Sequence, residues 1–283
     1  MFRKISIADV AETAYWIAAI RAQETARPDA VFKDALASAV AGPRGMQIAR
    51  SMPNSAITHW GVVLRTSAID RLIEDAVRRG VHTFVNLGAG MDTRPYRMQL
   101  PPDTRWIEID FENLVQLKNA ALNDYTPECR IERVGLNLLD RQARRDAFTA
   151  YSSHDGRSML IAEGLIPYLS NEEAASLAKE LRESFQYWIL DFDNSGGKTP
   201  RSWARQLKAT PFLFQPDDWF DFFEECGWRA QQVITTAAES ERVNRPYPFV
   251  FPRGVLMRAL PRAMRQRILG LSGAALMGIG SGR

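Results

Sequence analysis

Cysteine, histidine and long apolar runs are scarce in this chain of 283 residues. Its two cysteines, Cys129 and Cys226, have no paired spacing, and its three histidines, His59, His82 and His154, form no His-x-x-x-His set. That pattern excludes a disulfide framework and gives no dedicated metal site. The longest apolar run near the end, Ile268 to Gly280, contains four glycines and is too short to cross a bilayer, which takes about 20 residues. No transmembrane helix is expected. The opening residues, Met1 to Val10, mix polar and apolar side chains instead of forming a secretory leader, so a reducing cytoplasm is the expected compartment. Lysine is also sparse, and the arginines that supply most of the +3 formal charge are interleaved with acids, which disfavours a nucleic-acid partner.

What the chain has in plenty is helical and strand-like patterning, enough for one large domain that buries roughly three quarters of its unfolded surface. Apolar positions at Ile7, Val10, Ala14, Ile17 and Ile20 predict an amphipathic helix over Ile7 to Glu24, stopped by Arg27-Pro28-Asp29. A second helical pattern spans Ala30 to Val40 and breaks at Gly42-Pro43. A third and more regular one, from Trp60 to Val77, ends in Arg78-Arg79-Gly80, with Gly80 as its C-cap. These first eighty residues are expected to form a helical lid, part of the same domain as the core at 81–283.

After Gly80 the pattern changes to strands separated by crossover helices, the signature of a parallel sheet covered on both faces. Strands are expected at Thr83 to Leu87, Arg105 to Ile109, Arg130 to Leu136, Met159 to Ala162 and Tyr187 to Phe192. Helices are expected at Phe111 to Leu122, Asp140 to Tyr151, Asn171 to Phe185 and Pro216 to Cys226. Trp228 to Thr235 and Phe249 to Met257 read as a final pair of strands. The apolar tail reads as a helix packed on its own domain; flanked by Arg265, Arg267 and Arg283, it could instead lie on a membrane surface or in the interface of a homodimer.

Ligands of open parallel sheets bind beyond the carboxyl ends of the strands. There the sequence places Gly88-Ala89-Gly90 after the first strand, Asp110 after the second, Asn137-Leu138 after the third and Glu163-Gly164 after the fourth. Glycines one residue apart let the backbone turn sharply against a ligand. Asp110 follows Gly88 at close to the spacing at which an acid reaches both hydroxyls of a ribose, although it also sits where the next helix would take an N-cap. The third glycine of a dinucleotide fingerprint is replaced by Thr93, and Asp92 in the turn would repel a phosphate but suit a cationic centre. A nucleoside with a positive centre, such as S-adenosylmethionine, fits that pattern.

The stretch NLGAGMDTRPYR at Asn86 to Arg97 resembles the signature of the leucine carboxyl methyltransferase family of class I S-adenosylmethionine-dependent enzymes. Three blocks agree in order: TAYWIAAIRAQETARPDAVFKD at Thr13 to Asp34, VLRTSAID at Val63 to Asp70, and AEGLIPYLSNEEA at Ala162 to Ala174. The chain is most similar to the bacterial branch that includes polyketide O-methyltransferases. The resemblance implies an α/β, Rossmann-like class I methyltransferase fold, with a seven-stranded, mostly parallel sheet, helices on both faces and the N-terminal helical lid. It implies cofactor contacts from Arg65 to the methionyl carboxylate, Gly88, Ala89 and Gly90 under the cofactor, Asp110 to the ribose, Asn137 and Leu138 at the adenine, and Glu163 near the sulfonium and methionyl end. The lysine that eukaryotic members place near Thr13 to Trp16 is absent.

The resemblance implies transfer of a methyl group to a hydroxyl or carboxylate of a small molecule, a secondary metabolite. The rival readings are a protein C-terminal carboxyl methyltransferase, and a non-catalytic or nicotinamide-binding protein on the same fold. His59, Tyr15 and Tyr168 are the candidate catalytic side chains, because a hydroxyl acceptor benefits from a base whereas a carboxylate needs none. Asp191, Trp203, Phe212 and Phe214 are candidates for the acceptor side.

Overall fold

The computed structural model describes residues 10–52, 55–152, 157–195, 212–249 and 252–280. Seven strands form one sheet: β1 (Thr83–Leu87), β2 (Arg105–Asp110), β3 (Arg130–Gly135), β4 (Ser158–Ala162), β5 (Tyr187–Asp193), β6 (Trp228–Thr235) and β7 (Ser272–Ile279). Their spatial order is β3-β2-β1-β4-β5-β7-β6, with β1 to β5 parallel and β7 antiparallel to both of its neighbours. The strand order reverses between β1 and β4, so a crevice opens there beyond their carboxyl ends.

Three helices precede the sheet: α1 (Val10–Thr25), α2 (Ala37–Ser51) and α3 (Ser55–Arg78). Residues Ala30 to Leu36 are not helical, so the second helix starts later than its pattern predicts. It continues across Gly42-Pro43 as a kink, because Gly42 takes a φ of 55° that only breaks the helix locally. Further along come the short α4 (Arg94–Arg97), α5 (Glu112–Leu122), α6 (Arg141–Tyr151) and α7 (Asn171–Ser184). A capping box starts α7: the Glu173 amide donates to Ser170 Oγ and the Ser170 amide to Glu173 Oε2. The remaining helices are α8 (Trp219–Glu225), α9 (Thr236–Arg242), α10 (Arg253–Ala259) and α11 (Arg262–Leu269).

Strand alternation divides the core between the two faces of the sheet. Val85, Ile107, Leu160 and Trp188 face Phe148, Leu177, Leu181 and Phe223 of α6, α7 and α8. Phe84, Trp106, Met159 and Ile189 face Ile69, Leu72, Ile73 and Ala76. The C-terminal half of α3 is therefore a layer of the core, while α1 and α2 pack on one another through Trp16, Ile20, Val40 and Ile48.

Two expectations about the end of the chain are overturned. The apolar tail is strand β7, buried between β5 and β6, not a helix on the outside. Small residues allow this: a Cβ on Gly273 would lie 2.2 Å from the Ile234 carbonyl oxygen. The strand expected over Phe249 to Met257 is replaced from Arg253 onward by α10, and residues 250 and 251 lie outside the described residues. Among the described residues, no helix is long and apolar enough to cross a membrane.

Candidate active site

A cavity of about 350 Å³ opens at the carboxyl ends of the parallel strands. Its floor is the turn after β1. Gly88 and Gly90 have φ of 63° and 46°, where a side chain is strained, and a Cβ on Gly90 would lie 3.1 Å from the Ala14 methyl carbon. Gly90→Val is expected to cost about 1–3 kcal/mol, readable as a lower urea midpoint. Around this turn the cavity is lined by Arg65, Ala89, Asp110, Asn137, Leu138, Glu163 and Tyr168, with Thr13, Ile17 and Arg21 from α1 above.

All eight residues expected to bind the cofactor thus meet in one cavity. Asp110 Oδ2 accepts from the Gly90 amide at 2.6 Å and Oδ1 from the Phe111 amide at 2.7 Å. It is half-buried at the end of β2, and burial pushes its carboxyl upward against those two amides. Each oxygen keeps a lone pair for a ligand. Asn137 is exposed at the mouth, where its Oδ1 accepts from the Leu139 amide.

Beneath the ligand space lies a network of charged side chains that the sequence reading did not assemble. Arg94 is 2% exposed. Its Nε donates to Asp70 at 2.7 Å, and its Nη1 lies 2.9 Å from Asp92 and 2.8 Å from Glu163. Arg65 donates from Nε to Glu163 at 2.9 Å and from Nη1 to Asp191 at 3.1 Å, and the Gly164 amide donates to the other Asp191 oxygen. Arg97 grips Asp70 with both Nη atoms, and Arg21 and Thr93 both donate to Asp34. Four arginines (21, 65, 94 and 97) thus face five carboxylates (Asp34, Asp70, Asp92, Glu163 and Asp191), and Asp110 adds a further acid nearby.

Asp92 therefore differs from its expected role. Arg94 and Asn86 already hold its Oδ2, so it is not a free acid awaiting a cation. Burial opposes ionisation of Asp92, but Arg94 and more distant cations overcome it and hold the carboxyl well below its usual range. Burial likewise opposes ionisation of Glu163, and Arg94 and Arg65 bring it below the ordinary value. At Asp191 burial wins over Arg65 and the carboxyl is pushed upward.

The depressed Glu163 favours the folded state fully above the ordinary glutamate range and loses that contribution as pH falls through its folded value. Stability is expected to decline from about pH 5 toward pH 3, with a smaller slope in Glu163→Gln. Urea titrations at several pH values measure it.

The candidate catalytic side chains do not converge. Tyr168 lines the cavity, its ring edge-on to Phe212 at 5.3 Å. Burial raises its phenol, with Thr13 and Arg65 pulling the other way, so it is protonated near neutrality. His59 lies elsewhere, in a second cavity, with Nε2 3.1 Å from Glu24. Tyr15 packs among the lid helices and does not line the main cavity. Phe214 is core, packed against Trp219, Phe222 and Phe223, and Trp203 lies outside the described residues. Asp70 and Arg94 were visible within the quoted blocks, but only the fold shows that they pair. Among the described residues no group of acids, histidines and cysteines could hold a metal ion.

The model of the leucine carboxyl methyltransferase family matches residues 14–182, which include the glycine turn, Asp110 and Glu163. The chain belongs to that family. A Frankia alni relative named "Putative S-adenosyl-L-methionine-dependent methyltransferase" is 36% identical over 181 residues, covering 60% of this chain and 63% of the relative. A second Frankia alni protein of the same description is 29% identical across 88% of this chain and 94% of its own length. The fold resembles a DUF574 family protein from Streptomyces avermitilis, with a TM-score of 0.57, 16% identity and coverage of 93% and 97%. It also resembles a methyltransferase-like structure from Thermobifida fusca, with a TM-score of 0.56, 15% identity and 97% coverage of both chains.

Proposed function

We propose that this chain is an S-adenosylmethionine-dependent methyltransferase that methylates an oxygen of a small molecule. The observation that carries the reading is the meeting of Arg65, the Gly88 to Gly90 turn, Asp110, Asn137, Leu138 and Glu163 in one cavity. The residues suit the cofactor. Asp110 offers a carboxylate to the ribose hydroxyls, and the turn has no room for larger side chains.

S-adenosylmethionine supplies a methyl group activated on a sulfonium. The protein's part is to hold the acceptor oxygen about 3 Å from that carbon and to keep water out. Ile17, Leu165, Pro167 and Phe212 give an apolar wall suited to a small organic acceptor. No histidine lines the cavity among the described residues, Glu163 and Asp92 are committed to arginines, and Tyr168 is protonated. An acceptor that arrives ionised, a carboxylate or an acidic phenol, needs nothing further.

Incubation of a bacterial extract with the enzyme and tritiated methyl donor tests the acceptor class. Label in the organic-soluble small-molecule fraction supports the reading. Label confined to precipitated protein would replace it with methylation of a protein carboxylate.

A further inference from the structure

Between Pro252 and Leu271 the chain carries five arginines, Arg253, Arg258, Arg262, Arg265 and Arg267, and no acid. That stretch holds α10 and α11, joined at Pro261, and it also turns apolar side chains to solvent. Val255, Leu256, Met264, Ile268 and Leu271 are exposed, Leu256 and Met264 by more than half, while Met257 of α10 is buried. The two sides of α11 differ. Arg262 Nη2 donates to Glu241 of α9 at 3.1 Å, and Gln266 Nε2 donates to the same oxygen at 2.9 Å, so this side is held against the protein. Met264 and Ile268 each lie two positions further on, about 200° around a helix, and so face the opposite way. Leu271 extends their spacing just past the helix end, with Arg267 among them.

We propose that α10 and α11 form a docking surface for an anionic lipid bilayer, their exposed apolar side chains entering the headgroup region among arginines that pair with lipid phosphates. Helices that present leucine, isoleucine and methionine beside arginine lie in the plane of such an interface. The arginine stems follow the apolar side chains inward while the guanidinium groups stay with the headgroups, and each one adds to the attraction of an anionic leaflet. A second copy of this chain fits poorly, because a two-fold contact would set the same five arginines against these. A protein partner fits less well than lipid: the exposed apolar residues here are all aliphatic, whereas protein interfaces draw most of their energy from aromatic and arginine anchors seated in pockets. The surface also shares an end of the sheet with the cavity. Thr235 of β6 pairs with Gly273, and Asp193 of β5 with Ser272, so the excursion between β6 and β7 leaves and re-enters the sheet where the parallel strands finish and the cavity opens. The proposal does not depend on the identity of the cofactor.

Flotation of the full chain with lipid vesicles tests the surface. Vesicles of phosphatidylcholine with about one third phosphatidylglycerol are expected to bind it about tenfold or more tightly than phosphatidylcholine alone, with the difference shrinking as salt is added. Met264→Asp combined with Ile268→Asp is expected to weaken that binding about tenfold or more, and so is Arg265→Glu combined with Arg267→Glu. None of the four side chains lines the cavity, and thermal unfolding checks that both variants are folded. Should the aspartates unfold the protein, Leu256→Ser on α10 takes their place, with a loss of about threefold expected. Equal binding to neutral vesicles would overturn the proposal, as would a loss in the arginine variant with full binding by a folded apolar variant. Absence of vesicle binding would overturn it and leave the face to an acidic protein. A dimer in sedimentation equilibrium that the paired aspartates dissociate would overturn it in favour of a second copy.

Discussion

Asp110→Ala is expected to weaken S-adenosylhomocysteine binding at least a hundredfold while leaving the fold intact. A carboxylate that accepts from both ribose hydroxyls makes two charge-assisted hydrogen bonds, each worth about 1.5–3 kcal/mol, and 1.4 kcal/mol is tenfold in affinity. The same carboxylate holds the Gly90 amide, so its removal also loosens the turn beneath the ligand. Asp110 is half-buried and makes no ion pair within the buried network, so its loss strands no charge. Asp110→Asn keeps one acceptor oxygen and is expected to fall between the two. Calorimetric titration of the three proteins measures the series, and circular dichroism checks that each is folded.

The largest effect on stability is expected at Glu108→Ala. Glu108 is 1% exposed on β2, and its Oε2 lies 2.8 Å from Lys118 Nζ and 2.8 Å from Arg133 Nε. Lys118 is itself 2% exposed, and burial lowers its ammonium despite Glu108 and Asp92. Removing the acid strands two cations that have no other ion-pair partner among the described residues, so a loss of about 3–5 kcal/mol is expected. Glu163→Ala should cost less, because Arg94 keeps Asp70 and Asp92 and Arg65 keeps Asp191. Urea unfolding of both variants at pH 7 compares them; an equal or greater loss at Glu163 would show that the ranking by remaining partners is wrong.

Strands β1 to β5 were legible in the sequence because β1, β4 and β5 are short, mostly apolar runs and β2 and β3 mix apolar with charged residues over a strand's length, with a helical pattern between most of them. Strand β7 was not. Its Gly-Ala-Ala-Leu-Met-Gly run is buried on both faces, so it carries no alternation, and apolar runs without alternation read equally as helix. The glycine turn and Asp110 could be found because they lie close together in sequence and their spacing has a physical reason. The Arg94 network could not, since its acids lie on three elements and only the parallel β1 and β4 bring them together. For His59 and Tyr15, residue type suggested chemistry, but each lies on a face of its helix turned from the main cavity.

The central claim is that the cavity beyond β1 and β4 is built for S-adenosylmethionine. Equilibrium binding of its product to the unmodified protein tests this most directly. Calorimetry with S-adenosylhomocysteine, run beside NADH, is expected to give one site per chain for the first and no heat for the second. Binding of NADH with none of S-adenosylhomocysteine, or binding of neither, would contradict it.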